Sequence, residues 1–133
     1  MIFINFQYLT DCSLCMIVCL AEENRLMTSR ELAAKIPFPQ NSIFTAGRKL
    51  KKHGFIRTVS GPFGGYMLAK PANQITVQEI LVAYNDGFNV SNELTSKEST
   101  LPALQKYMKL ITKIKNDIDQ SFSFTLSDVL GGK

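Results

Sequence analysis

Apolar residues recur at helical spacing in several stretches of the chain, and the first two lie before residue 37. Over residues 2–23 the pattern becomes apolar almost all round, which is typical of a helix packed on several sides. The second stretch begins at Thr28, whose hydroxyl has the right spacing to form a capping box with the Glu31 carboxylate, and Pro37 stops it. The pattern therefore predicts a long first helix and a short second helix.

The next stretch combines a helix with a β-hairpin. Ile43, Gly47 and Leu50 form a narrow apolar stripe, and Gly54 is the residue expected to end this helix in a left-handed conformation. Two β-rich runs follow within residues 55–69, on either side of a turn rich in glycine and proline. This arrangement predicts a hairpin of two short strands.

The last part of the chain is predicted to be helical apart from one loop. Thr76 is placed to begin a short helix, and the polar, turn-rich residues 86–99 predict a loop. From Thr100 to about Phe122 apolar residues recur at helical spacing, which predicts a helix roughly 33 Å long. The tail, residues 125–130, is predicted to form one further turn.

Helix, turn, helix and hairpin, in that order, form a winged helix-turn-helix. The length of 133 residues suits one domain with an appendage. We therefore expect a mainly α fold with a small β-hairpin. Its parts are a winged helix-turn-helix domain over residues 1–86, a loop over 87–99, and a long C-terminal dimerisation helix with its tail over 100–133.

The positive charge of the chain is concentrated in one segment. Residues 25–70 hold nine basic residues and one acidic residue, a net charge of +8, whereas the remainder sums to −4. Such asymmetry favours a polyanionic partner, most simply double-stranded DNA. The second helix of the pair is small and polar at its start, which suits base edges, and basic in its later turns, which suits phosphates. The alternative is that these basic residues only solvate an exposed helix.

The glycine-rich turn at residues 60–65 is predicted to lie beside the DNA backbone or the minor groove. A phosphate-cradling nucleotide loop is the alternative interpretation. Such a loop follows a strand and opens a helix, whereas this turn joins two predicted strands and lacks the Gly-Lys-Ser/Thr ending. The wing of a winged helix therefore explains the turn better.

Four segments carry a resemblance to a known family. They are Thr-Ser-Arg-Glu-Leu-Ala-Ala from Thr28, Arg-Lys-Leu-Lys-Lys-His-Gly-Phe-Ile-Arg from Arg48, Gly-Pro-Phe-Gly-Gly-Tyr-Met-Leu-Ala-Lys-Pro from Gly61, and Ile-Thr-Val-Gln-Glu-Ile-Leu from Ile75. Their order resembles the Rrf family of bacterial winged-helix regulators, which includes an iron–sulfur cluster regulator and a cysteine-metabolism repressor. The resemblance implies a homodimeric transcription regulator whose long C-terminal helix is the dimer element.

The resemblance also places the base-facing positions of the family's recognition helix at the start of the third predicted helix. The candidate DNA-binding residues are Thr28, Asn41, Ser42, Thr45, Arg48, Lys49, Lys52, Arg57, Ser60, Gly61, Phe63 and Gly64. The candidate dimerisation residues are Leu101, Leu104, Met108, Ile111, Ile114 and Ile118. The chain departs from the family pattern at Ser60, where arginine is common, and at Phe44, where glutamate is common. The target sequence of better-known members therefore does not transfer to this chain.

All three cysteines lie in the first predicted helix. Cys12, Cys15 and Cys19 share one face of it, and thiolates at this spacing could in principle hold a metal. Their aliphatic neighbours favour the alternative, that they are buried and uncharged. Cluster-bearing members of the family carry three cysteines between the helix after the wing and the dimer helix, where residues 86–99 of this chain have none. We therefore expect no metal and no cofactor. The alternative is that one of these cysteines is oxidisable and senses peroxide or thiols.

Two functions from different classes fit this sequence. The first is a homodimeric, sequence-specific DNA-binding regulator, expected to be a repressor without an iron–sulfur cluster and to respond to a small molecule or a protein. The second is a protein-interaction adaptor that keeps the fold and regulates a partner protein. An enzyme is not expected, because no nucleophile–base pair or carboxylate constellation is present.

No basic residue precedes the apolar segment at 14–20, and no apolar run approaches about 20 residues. We therefore expect a cytoplasmic protein without a membrane partner.

Overall fold

The computed structural model describes residues 6–86 and 100–131 of the chain. Its elements, in chain order, are α1 (Tyr8–Glu23), α2 (Ser29–Lys35), α3 (Gln40–Lys52), β1 (Ile56–Val59), β2 (Gly65–Leu68), a 3₁₀ turn (Ala72–Gln74), α4 (Val77–Ala83), α5 (Pro102–Ser121) and α6 (Leu126–Val129). Helices dominate and β1 pairs with β2, so the expected fold class is confirmed. In this part of the chain no helix is both long and apolar enough to span a membrane. The predicted loop at 87–99 lies outside the described residues.

α1 forms the centre of the hydrophobic core. Its almost completely buried apolar side chains are Cys12, Met16, Ile17, Leu20 and Ala21. The helix begins at Tyr8. The sequence predicted a start at residue 2, which was wrong for Phe6 and Gln7, because these two described residues precede the helix. Gln7 is extended, and its backbone N–H donates to Asp86 Oδ2 at 2.9 Å. The chain is therefore tied to the end of α4 at the point where the sequence pattern alone would continue the helix.

α2 and α3 form the helix-turn-helix. The predicted capping box is confirmed, because the Glu31 N–H donates to Thr28 Oγ1 (3.1 Å) and the Thr28 N–H donates to Glu31 Oε1 (3.2 Å). α3 ends two residues before Gly54. The φ of Gly54 is +79°, the left-handed conformation that commonly terminates an α-helix. The buried residues of α3 are Ile43, Ala46, Gly47 and Leu50. This face packs mainly against α1, which leaves the polar face of α3 on the outside.

β1, β2 and the turn between them form the wing. The paired residues are Ile56 and Leu68, Arg57 and Met67, Thr58 and Tyr66, and Val59 and Gly65. The wing is fastened just before α2, because the Met27 N–H donates to the Tyr66 carbonyl (2.9 Å) and the Tyr66 N–H donates to the Met27 carbonyl (2.7 Å). The Tyr66 ring also lies against Gly47, where a Cβ would stand 2.5 Å from ring atom Cε1. Glycine at this position lets the wing pack directly on α3.

The C-terminal segment returns to the core after α5. α5 lies close to its predicted bounds, and none of its residues is buried. The chain that follows it pairs with the start of α4, where the Gln78 N–H donates to the Phe122 carbonyl (2.9 Å) and the Leu126 N–H donates to the Ile75 carbonyl (3.0 Å). Leu126 is completely buried in the main core, so the predicted last turn, α6, packs against the same core as α1.

Candidate DNA interface

The polar face of α3 carries a line of hydrogen-bonding and basic side chains. Four exposed residues form this line, each three or four positions after the one before: Asn41, Thr45, Arg48 and Lys52. The Thr45 hydroxyl donates to the Asn41 carbonyl (3.2 Å), and Arg48 Nη2 donates to Thr45 Oγ1 (3.4 Å). Small polar groups therefore occupy the first turns and cations the last turns, as base edges and phosphates respectively require.

The cations of α3 differ from Arg25 and Lys35 in having no carboxylate partner among the described residues. Within residues 6–86 and 100–131, no lysine or arginine of α3 forms an ion pair. By contrast, Arg25 Nη2 lies 2.7 Å from a Glu31 oxygen, and Lys35 Nζ lies 2.6 Å from a Glu23 oxygen. The hydrogen bond from Lys35 lowers the pKa of the Glu23 carboxyl, as expected of a carboxylate committed to its partner. The unpaired part of the basic segment is therefore concentrated on α3.

Two of the predicted DNA-binding residues lie on the flank of α3. Ser42 Oγ is hydrogen-bonded to the Tyr8 hydroxyl at 2.9 Å. The Lys49 ammonium lies 4.2 Å from the centroid of the Tyr84 ring, a cation–π contact. Both residues therefore face neighbouring parts of the domain. The structure separates them from the exposed line, although the sequence grouped them with it.

Tyr84, which the sequence analysis did not single out, joins three elements. It follows α4 directly and is almost completely buried, and its hydroxyl donates to Ser13 Oγ of α1 at 2.7 Å. Burial raises the pKa of Tyr84 to about 12, so the phenol keeps its proton and remains a donor at neutral pH. Its ring supports Lys49 and lies 5.9 Å from the ring of His53. No local spacing could have identified it, because its hydrogen-bond partner is 71 residues away.

Three of the predicted wing residues are exposed, and the fourth is a buried glycine that shapes the turn. Ser60, Gly61 and Phe63 are exposed, and Phe63 reaches an exposure of 91%. Gly64 is buried, and its N–H donates to the Gly61 carbonyl at 3.0 Å. A Cβ at Gly64 would overlap the Val59 carbonyl. Gly64 therefore shapes the turn, and Phe63 is the side chain that the turn presents.

Arg57 lies in β1 and is exposed. It lines a cavity of about 280 Å³ together with Arg25 and Lys70, and its Nη2 lies 3.9 Å from Met67 Sδ. The cleft between α3 and the wing is lined instead by the next two residues, Thr58 and Val59. Arg57 does not line the cleft beside α3, and its predicted contact with DNA stays a prediction.

A cleft of about 320 Å³ separates the start of α3 from the wing. Its lining includes Phe44, which is 44% exposed, and Pro62 and Val59 of the wing. Thr28 also lines it, but the Thr28 hydroxyl oxygen already accepts the Glu31 N–H and so caps α2. The predicted contact of Thr28 with DNA stays a prediction.

α5 presents a second surface of different chemistry. Its predicted dimerisation residues are exposed or half-buried: Leu101, Leu104, Met108, Ile111, Ile114 and Ile118. Tyr107 and Leu110 widen this stripe, and both are exposed. Among the residues that the structure describes, the stripe is an exposed or half-buried apolar surface along one side of the helix.

The three cysteines of α1 differ in their surroundings. Cys12 is completely buried, and this burial raises its pKa to about 11. Cys15 and Cys19 are half-buried, and both line an apolar cavity of about 620 Å³ between α1 and the end of α2. Burial raises the pKa of each of these two thiols as well. Among the residues that the structure describes, no group of three histidine, cysteine, aspartate or glutamate side chains is arranged to hold a metal ion.

The chain matches the sequence model of one protein family over most of its length. The sequence profile described as "Rrf2: Iron-dependent Transcriptional regulator" matches residues 7–131. The HTH-type transcriptional regulator IscR of Cereibacter sphaeroides is 46% identical over 41 residues, which cover 31% of this chain and 26% of that protein. The chain spans less than half the length of the curated relatives that it matches first.

Solved structures of similar shape have lower sequence identity. CymR, the global cysteine regulator of B. subtilis, superimposes with a TM-score of 0.78 at 19% identity, covering 100% of this chain and 99% of that one. IscR of T. potens has a TM-score of 0.71 at 19% identity, covering 94% of this chain and 85% of that one. At this identity the likeness shows a common fold.

Proposed function

Because this chain belongs to the Rrf2 family of transcriptional regulators, we propose that it is a homodimeric, sequence-specific DNA-binding repressor that works without an iron–sulfur cluster. The observation that carries the proposal is the exposed line of α3, in which polar residues precede unpaired cations. A helix with this order suits the major groove, with its first turns at the bases and its later turns at the phosphates. The wing, packed on Gly47 of the same helix, presents Phe63 to the adjacent backbone or minor groove.

The apolar stripe of α5 supports the homodimer. A contiguous exposed apolar surface of this kind is unusual in a monomer, and a second copy of the same helix covers it symmetrically. A two-fold dimer presents two copies of α3 to two half-sites, which should be spaced by about one helical turn of DNA or a multiple of it. Such a protein represses by occupying promoter DNA.

The cysteine environments support function without a cluster. The family's description names iron, and iron–sulfur clusters are held by thiolates. All three cysteines of the chain lie in α1, which leaves residues 86–99 without any, and burial raises the pKa of each thiol. These thiols therefore do not fit a cluster site. Protein purified without oxygen should be colourless, and a brown protein with stoichiometric iron and sulfide would contradict this part of the proposal.

Selection of binding sites from random duplex DNA tests the proposed function directly. We expect one pseudo-palindromic sequence to be enriched, and its affinity, measured by fluorescence anisotropy, to fall about 10³-fold between 50 and 200 mM salt for about six phosphate contacts. In vitro transcription from a promoter that contains this sequence should decrease when the protein is added. A folded dimer that enriches no sequence would contradict DNA binding and favour the adaptor function.

A further inference from the structure

We propose that Phe44 determines sequence specificity by contacting the C5-methyl group of a pyrimidine, which is thymine in unmodified DNA. The inference rests on the proposed function, because it requires α3 to lie in the major groove. Among the four unmodified bases only thymine presents an apolar group in that groove. Phe44 departs from the family pattern at this position, and its side chain lies at the cleft between α3 and the wing.

The position of Phe44 is that of a base-reading residue. It lies in the first turns of α3, three residues after Asn41 and directly before Thr45, so its side chain borders the exposed line. Its neighbour Ile43 is completely buried and fills the core at this level, whereas Phe44 is 44% exposed. The aromatic ring is therefore outside the core, although exposure of a large apolar side chain has a cost in water.

The surroundings of Phe44 favour an apolar group over a phosphate. The cleft between α3 and the wing is lined by neutral residues, among them Thr28, Ser29, Thr58, Val59 and Pro62. No lysine, arginine, aspartate or glutamate lines it, although the segment that contains it carries a net charge of +8. A phosphate would be held at Arg48 or Lys52, outside this cleft, whereas a methyl group on a base edge can enter it.

Replacing thymine by deoxyuridine removes this methyl group and leaves the hydrogen-bonding edge of the base unchanged. The duplex obtained by the selection described above is the probe, with each thymine replaced in turn at the symmetric positions of both half-sites. Wild-type protein should bind one such duplex about 15-fold more weakly, since burial of one methyl group is worth about fourfold in affinity and two are lost. Phe44→Ala should bind the thymine and uracil duplexes equally well.

Two further variants separate this contact from general effects. Phe63→Ala, which removes the other exposed aromatic ring near the DNA, should retain the full loss on uracil substitution. Phe44→Leu keeps an apolar but shorter side chain and should show a smaller loss than wild type, and it replaces Phe44→Ala in the comparison if the alanine variant does not fold. With cytosine at the same position, 5-methylcytosine should bind wild type more tightly by the same methyl-dependent factor.

The results of these binding measurements distinguish failure of the role of Phe44 from failure of the proposed function. Wild-type protein that tolerates uracil at every position, or an equal loss in wild type and in Phe44→Ala, would overturn the role of Phe44 and leave the proposed function intact. A methyl effect with thymine but none with 5-methylcytosine would also overturn it, because the same group would occupy the same place in the groove. Failure to enrich any sequence would refute the proposed function and this inference together.

Discussion

α3 and α5 are both amphipathic helices, but they leave opposite faces free. The apolar face of α3 is buried, mainly against α1, and its polar and basic face is exposed. In α5 no residue is buried, and the apolar stripe that contains Leu110 and Ile114 is exposed. A helix that has already buried its apolar face can offer its polar face to a charged partner, whereas a helix with an uncovered apolar face needs a second apolar surface. We therefore propose DNA as the partner of α3 and a second copy of the chain as the partner of α5.

Substitutions in the apolar stripe of α5 should have the largest effect on assembly and on DNA affinity. Replacing both Leu104 and Ile111 with Glu places charges in the apolar stripe, so we expect monomers in sedimentation velocity at micromolar concentration. Affinity for the selected duplex should fall by about 100-fold or more, because the second half-site is then no longer bound within the same complex. The matched control is Thr112→Glu with Asn116→Glu, which adds the same charges at exposed polar positions of α5. Loss of the dimer in the control, or a stable dimer in the first variant, would contradict the role of the stripe.

The next effect concerns the first turns of α3. Asn41→Ala or Thr45→Ala should lower the affinity for the selected duplex more than that for random DNA, because we propose that these side chains contact bases. Loss of one good base contact costs about 1–3 kcal/mol of discrimination, so the ratio of the two affinities should narrow by about tenfold or more. Competition anisotropy with both duplexes measures this ratio. An equal loss on both duplexes would mean that the start of α3 binds only phosphates.

A smaller effect distinguishes the two lysines that the sequence grouped together. Lys52→Gln should weaken binding to all duplexes and reduce the slope of log affinity against log salt by about 0.9 for each protomer, because one phosphate contact is lost. Lys49→Gln should leave the slope unchanged, since the Lys49 ammonium lies over the Tyr84 ring. The same substitution at two positions of one helix serves as its own control. An equal reduction of the slope in both variants would mean that Lys49 leaves Tyr84 when DNA binds, and an unchanged slope in both would contradict the phosphate contact of Lys52.

The smallest expected effect on DNA binding lies in α1, the helix against which α3 packs. Burial raises the pKa of Cys12 from the ordinary value of 9.0 to about 11, so the folded state holds this proton more tightly than the unfolded state. This contribution to stability is complete below pH 9 and is lost as the pH rises toward 11. The Tm of wild type should therefore fall more steeply between pH 9 and 11 than that of Cys12→Ala, with DNA affinity at pH 7 the same in both. Parallel melting curves over this range would contradict the prediction.

The elements whose signals are local were predicted correctly. The capping box of Thr28 and Glu31 and the left-handed Gly54 depend on residues within three or four positions of one another, so the sequence shows them directly. The start of α1 was predicted wrongly. Gln7 is extended and its N–H donates to Asp86, which is 79 residues away along the chain, and local spacing does not show such a contact. The amphipathic pattern of α5 was also visible in the sequence, since it depends only on helical spacing.

Within the candidate interface, the sequence by itself determined which helix carries polar and basic residues and that a wing follows it. It could not separate Lys52 from Lys49, or Asn41 from Ser42, because these pairs are chemically alike and lie close together on one helix. The tertiary structure decided between them by placing Tyr84 beside Lys49 and Tyr8 beside Ser42. It also placed Phe44 at an uncharged cleft whose other wall is the wing. The physical reason is range: caps, turns and helical periodicity arise from neighbours along the chain, whereas the direction in which a side chain is free depends on residues that only folding brings to it.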